Sequence, residues 1–336
     1  MILAASALLG CDRANEQLPA GEGLNPTEAV DIGPLAGRVT VSGVSSGGYM
    51  AVQAHVALSD RVSGAAVVAA GPYHCAQGSV QTALGPCLKG EGLELAPLLE
   101  YAETQSAQDN IADLGALSRT RAWILHSPVD SVVSPLASEA LADFYRAFLP
   151  RENVAIVTSV ESAHGWPTVS AGGPCGEMSG DYLNACDYDL AGTMLQHLYG
   201  DLESTRADEA ASQLRELDLS RLVSSESAIA DTAYAYVPAS CSESTSKCRL
   251  HISFHGCRQG AEFIGDSFAR QAGINEWAAT NRIVVVYPQI EKSMFNPQGC
   301  WDWWGYTGED YDLASGPQVA SINAIIKAFA GNSLLD

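Results

Sequence analysis

The sequence predicts an α/β fold, a mostly parallel central sheet flanked by helices, in one domain. Two observations predict it. Apolar runs of strand length recur along the chain, each leading into a loop and several then into a helix-like stretch. One such junction carries the pentapeptide Gly43-Val44-Ser45-Ser46-Gly47.

Taken in order, Arg38 to Ser42 reads as a buried strand and Gly48 to Leu58 as a helix. Between them, G-x-S-x-G forces a sharp turn with a strained central residue. Its two glycines leave room for close packing, so the serine hydroxyl projects from the sheet edge. Ser45 is therefore a nucleophile candidate. Arg121 to His126 is a buried strand ending in the turn Ser127-Pro128-Val129-Asp130. Asn153 to Val160 is another strand, followed by the loop Ser162 to Pro167. Gly200 to Asp231 is an acidic segment with an amphipathic stretch at Leu214, Leu217 and Leu222. Arg249 to Phe254 reads as a strand running into His255-Gly256-Cys257-Arg258-Gln259. A helix over Asp266 to Asn281, a strand from Arg282 to Tyr287 and a helix over Pro317 to Ala330 close the chain.

A serine hydroxyl is a poor nucleophile at neutral pH and needs a base, which in turn needs an orienting group. Of the 7 histidines, His164 lies in a Gly/Pro-bounded loop just after a strand, where it can swing over a neighbouring strand end. His55 and His197 fall in helical stretches and read as structural, and His126 ends a strand. Asp130 sits in the turn after the strand 121–126, where a carboxylate can hold an imidazole and fix its tautomer. Asp113, Asp187 and Asp189 compete with it but read as solvated loop or helix-start acids. Ser45, Asp130, His164 is the nucleophile–acid–base order of α/β-hydrolases. One oxyanion donor would be the amide of Ser46. A second donor loop normally precedes the nucleophile strand, yet fewer than fifty residues precede Ser45. The missing strand–loop–helix–strand–helix elements appear instead over 249–330. The chain therefore reads as a circularly permuted hydrolase, an arrangement that close termini make tolerable. The segment 200–231 would be the connector joining the original ends.

The runs Gly43 to Met50, His255 to Gln259 and Asn296 to Tyr306 (Asn-Pro-Gln-Gly-Cys-Trp-Asp-Trp-Trp-Gly-Tyr) resemble the single-domain, circularly permuted poly(3-hydroxybutyrate) depolymerases over about residues 30–332. The resemblance implies a serine esterase with Ser45, Asp130 and His164 as its triad. It also implies the amides of Ser46 and Cys257 as its oxyanion hole. Its substrate would be a solid or oligomeric polyester. Trp301, Trp303, Trp304 and Tyr306, with Tyr49, would form an apolar crevice for the chain's methyl groups, although a core plug is the plainer reading of any one tryptophan. The competing function is a feruloyl or acetylxylan-type carbohydrate esterase, which shares the triad but usually keeps the unpermuted order. A non-catalytic polymer-binding lipoprotein is a third reading, and the intact triad opposes it.

The 9 cysteines point to an exported protein. With Cys11 set apart, short spacings suggest Cys75–Cys87, Cys175–Cys186 and Cys241–Cys248, and Cys257–Cys300 is the preferred remaining pair. Residues 1–11 read as a signal or lipoprotein-type segment ending in Leu8-Leu9-Gly10-Cys11, with Cys11 as the lipidation site. Residues 12–25 would be a tether and 26–336 the catalytic domain. The expected location is extracellular or at the cell surface. A net charge of −21 opposes nucleic-acid and anionic-membrane partners. The Gly-rich stretch 43–48 lacks the lysine of a phosphate loop, and no Cys-x₂-Cys pair suggests zinc. No cofactor, metal or protein partner is indicated, and a monomer is expected. Without a separate binding module, adsorption to polymer would use the domain's own exposed apolar surface.

Overall fold

The computed structural model describes residues 39–204, 214–241 and 247–331. The segments 1–11 and 12–25, with Cys11, lie outside the described residues.

The strand that carries the pentapeptide, β1 (Val39–Val44), is buried throughout and lies mid-sheet. On one side it pairs in parallel with β2 (Val62–Val68), followed by β3 (Arg121–Leu125) and β4 (Val154–Val157). The small three-stranded sheet of β5 (Trp166–Thr168), β6 (Gly173–Pro174) and β7 (Leu183–Ala185) follows β4 in the chain. The other flank comes from the far half of the chain. It holds β8 (Leu214–Asp218), β9 (Thr232–Tyr236), β10 (Arg249–Phe254) and β11 (Ile283–Tyr287). The order across the large sheet is β4-β3-β2-β1-β10-β11-β9-β8. Strands β4 to β11 run parallel, and β9 and β8 turn antiparallel at the edge. The observed class is the mainly parallel α/β sheet expected.

Both faces of the sheet are covered, as a parallel sheet requires. On one face pack the helices Ser46–Ala57, Pro135–Phe148 and Pro317–Gly331, around Met50, Phe144, Tyr145 and Ile322. On the other pack Leu190–Tyr199 and Ile274–Asn281, around Trp166, Leu195 and Trp277. Every residue of the helix Ser46–Ala57 is buried. This explains its run of glycine, alanine and valine in place of an amphipathic stripe. Between β1 and β10, His251 is fully buried with its ring nitrogens 2.8 Å from Thr40 Oγ1 and Ser42 Oγ. His55 bridges Tyr145 and Thr120 in the same manner, while His197 bonds the Asn153 carbonyl.

Three elements differ from the sequence reading. The stretch Asp266 to Asn281 is two helices, Ser267–Gln271 and Ile274–Asn281, because Gly273 takes φ 78° between them. Within the acidic connector, Leu214–Asp218 is a strand, hydrogen-bonded to β9, with Leu214 and Leu217 buried on opposite faces of the sheet. The strand after Asp130 stops at Val157, leaving 158–163 as an irregular approach to His164.

Candidate active site

The carboxyl ends of the parallel strands converge at Ser45, which follows β1 directly. Its φ of 56° and ψ of −125° are strained for a non-glycine residue. The strain is held by bonds on either side: its amide donates to Val68 O (2.9 Å) and its carbonyl accepts from Tyr49 N (3.0 Å). The flanking glycines are sterically required. A Cβ on Gly43 would stand 2.1 Å from the Gly47 carbonyl oxygen, and one on Gly47 would stand 2.3 Å from Phe254 O. The turn is therefore closed from both sides, by its own helix and by β10.

His164 and Asp130 come from the loops after β4 and β3. His164 Nδ1 donates to Asp130 Oδ2 at 2.8 Å, and its Nε2 lies 3.0 Å from Ser45 Oγ. The other carboxylate oxygen of Asp130 accepts the amides of Val132 and Val133 at 2.8 and 3.0 Å. Ser127 Oγ accepts from Ser162 N (3.0 Å) and so ties the acid's loop to the histidine's loop. The Asp130 and His164 side chains are only 3% and 7% exposed, so their bond is little screened. Such a chain of donors can draw the proton from Ser45 Oγ and hold the imidazolium that results. The rival acids stay elsewhere: Asp189 caps the helix Leu190–Tyr199 and bonds Trp277, and Asp113 caps the turn Leu114–Arg119. Asp187 lies in an exposed loop. His126 is buried, with neither ring nitrogen bonded to protein among the described residues.

Residues 255–259 border the same site from β10. A Cβ on Gly256 would lie 3.5 Å from Ser45 Cβ. Neither the Ser46 nor the Cys257 amide donates to a loop or turn carbonyl among the described residues. Two side chains that the sequence reading passed over set this loop. His255 Nδ1 donates to Gly256 O (2.7 Å) while its Nε2 accepts from Ile290 N (3.2 Å), which fixes its tautomer. Burial pushes its pKa down to about 4, keeping the ring neutral. Gln259 accepts from Gly256 N (2.7 Å) and donates to the carbonyls of Asp181 and Tyr182 (3.0 and 3.1 Å). The motif His-Gly-Cys-Arg-Gln carried that signal.

Bridges connect Cys75–Cys87, Cys175–Cys186 and Cys241–Cys248, the pairs the short spacings suggested, and Cys257–Cys300, the preferred remaining pair. Two of them shape the site. Cys175–Cys186 closes the loop that brings Met178 and Tyr182 to a cleft of about 230 Å³, which Ser45, His164, Cys257 and Arg258 also line. Cys257–Cys300 joins the second loop to the aromatic segment, whose Trp301 amide donates to Ser46 Oγ (3.3 Å).

The aromatic crevice is corrected by the structure. Trp301 and Trp303 are buried, and so is Tyr49. Trp303 stacks on Tyr49 with ring centroids 4.3 Å apart, and Trp301 meets Phe254 edge-on at 4.8 Å. The loop can bury its tryptophans because Asp302 folds it inward. One carboxylate accepts the amides of Trp304, Gly305, Tyr306 and Thr307, and Gln53 donates to the Asp302 carbonyl. Trp304 and Tyr306 remain half-buried beside this plug and do not line the cleft.

Known proteins resemble this chain in sequence and in fold. A family profile described as Esterase PHB depolymerase matches residues 232–336. A poly(3-hydroxybutyrate) depolymerase of Delftia acidovorans is 38% identical over 293 residues, 86% of this chain. The chain spans only 59% of that relative's length. A polyhydroxybutyrate depolymerase of Talaromyces funiculosus is 32% identical over 304 residues, covering 86% of this chain and 88% of the relative. The crystal structure of PHB depolymerase from Penicillium funiculosum superposes with a TM-score of 0.82 at 30% identity, over 89% of this chain and 97% of that one. A PHB depolymerase variant complexed with an R3HB trimer gives the same TM-score and identity, over 90% and 98%. With 32% identity over 88% of the Talaromyces relative and a fold shared with the Penicillium structure, the chain belongs to the poly(3-hydroxybutyrate) depolymerase family.

Proposed function

We propose that the protein is a serine esterase that hydrolyses the ester bonds of poly(3-hydroxybutyrate) or related hydroxyalkanoate oligomers. The observation that carries this reading is the unbroken relay Asp130–His164–Ser45 at a cleft. His164 Nε2 takes the Ser45 proton as Oγ attacks the ester carbonyl. The negative charge that develops on the carbonyl oxygen is held by the amides of Ser46 and Cys257. His164 then protonates the departing alcohol, leaving a hydroxyacyl group on Ser45. A water deprotonated by His164 attacks this acyl group, and the proton returns to Ser45 Oγ as the acid leaves. Fixed donors of this kind are worth about 10²–10³ in rate each.

The side chains suited to contact with solid polymer are the exposed apolar ones. Met294 and Phe295 are 89% and 81% exposed in the segment leading to Cys300, and Met178 is exposed at the cleft. Trp304 and Tyr306 would add the open side of the aromatic plug. The placement of β10 and β11 beside β1 supports the permuted-hydrolase reading. Four bridges favour an oxidising, extracellular setting, with a tether over 12–25 and lipidation at Cys11 as its anchor.

The test compares poly(3-hydroxybutyrate) film with feruloylated xylan. Wild-type protein should release acid from the film, and Ser45→Ala should lose that release while still adsorbing. Full activity in Ser45→Ala, or release from xylan alone, would overturn the proposal.

A further inference from the structure

We infer that Arg258 binds the terminal carboxylate of a hydroxyalkanoate oligomer and so biases hydrolysis toward the carboxyl end of the chain. This rests on the ester-hydrolase reading above. Three observations support it. Arg258 lines the cleft that holds Ser45 and His164, and it is the one arginine or lysine among the residues lining it. No aspartate or glutamate lines the cleft either. The Arg258 side chain is exposed and makes no ion pair or hydrogen bond among the described residues. Its backbone is held firmly. It keeps φ 62°, a left-handed conformation that costs energy in any residue with a Cβ. Its amide donates to Gln298 O at 2.8 Å, Cys257 before it is bridged to Cys300, and Gln259 after it is buried and bonded on three sides. The guanidinium is thus carried on a rigid loop next to one proposed oxyanion donor.

Substrate chemistry supplies the reason for a cation there. Internal units of the polyester are neutral and offer a guanidinium nothing but carbonyl oxygens. The last unit differs. Its carboxylate is separated from the final ester oxygen only by a methine and a methylene, so binding that ester at Ser45 brings the anion near residue 258. The protein as a whole is strongly acidic, with a net charge of −21. Its long-range field repels soluble oligomeric acids. An unpaired arginine at the cleft offsets that repulsion where it matters, and its planar fork suits a carboxylate.

The test uses two substrates that differ only at this group, the free-acid (R)-3-hydroxybutyrate trimer and its methyl ester. The readout is the ratio of their kcat/KM values. At low ionic strength wild-type protein should favour the free acid by about 3- to 10-fold, the range for a partly exposed arginine–carboxylate pair. The preference should shrink toward unity in high salt. Arg258→Gln should abolish it, and Arg258→Lys should keep part of it. The methyl ester reports on folding in every variant. Equal turnover of both trimers by wild-type protein, or an undiminished preference in Arg258→Gln, overturns the inference while leaving the esterase reading intact. No turnover of either trimer by wild-type protein overturns both.

Discussion

Replacing His255 with leucine should damage the active site without touching the relay itself. The carbonyl of Gly256 and the amide of Cys257 belong to one peptide group. The bond from His255 Nδ1 to that carbonyl (2.7 Å) therefore sets where the proposed oxyanion donor points. Leucine fills much of the space but strands two buried backbone groups, Gly256 O and Ile290 N, both now served by the ring. At about 1–3 kcal/mol for each unsatisfied group, the stability loss should be roughly 2–6 kcal/mol. Removing an oxyanion donor outright costs about 10²–10³ in turnover, so misaiming one should cost about 10- to 10²-fold in kcat with little change in KM. Steady-state kinetics on a soluble butyrate ester, urea unfolding and the affinity of an alkylboronic acid would measure this. The boronate mimics the tetrahedral intermediate, so its affinity should fall in step with kcat/KM. His255→Gln, which can donate to Gly256 O and accept from Ile290 N, should recover part of the rate. A folded His255→Leu protein with wild-type kcat and boronate affinity would refute the reasoning.

Acid should unfold this protein from an unusually mild pH. Burial lowers His55 and His251 to about 3 and His255 to about 4, against about 6.5 in the unfolded chain. The unfolded chain then takes up protons first as pH falls. Stability is intact above about pH 6.5 and declines toward pH 4 by ~1.4 kcal/mol per unit per histidine, or ~4 kcal/mol per unit for the three. Urea midpoints at pH 7, 6 and 5 test this, and a flat profile would contradict it. Trp303→Ala, which empties the stack on Tyr49, should cost about 3–5 kcal/mol of stability. Unchanged thermal unfolding together with lost polymer adsorption would restore the crevice reading for that residue.

The sequence made the sharp turn at Ser45 legible because its requirements are local. Gly43, Ser45 and Gly47 face one another across a single turn, and their spacing alone implies the close approach that the structure shows. Asp130 and His164 were legible from chemistry and from their places just beyond strand-like runs. The aromatic segment was not, because the partners that bury it are remote. Trp303 packs on Tyr49 and Asp302 is held by Gln53, each some 250 positions earlier in the chain. Nor could composition show that one carboxylate, Asp302, would gather successive amides and turn the loop inward. The strand at 214–218 was hidden for another reason. Its leucines at 214 and 217 do not keep the strict alternation of a half-buried strand, and its pairing with β9 is a tertiary fact. The buried, valine- and alanine-rich β2 and the helices over 95–107 and 135–148 are not marked in the sequence because they carry no chemical motif.

The position of β10 between β1 and β11 has a consequence for biogenesis. Until residue 254 has emerged, the strand leading to Ser45 is an open margin with unpaired peptide groups, the kind of surface that recruits other chains. A nascent half-molecule would display Ser45 but could neither seal that margin nor supply Cys257. Synthesis must pass residue 257 before this margin is covered and the proposed oxyanion loop can form.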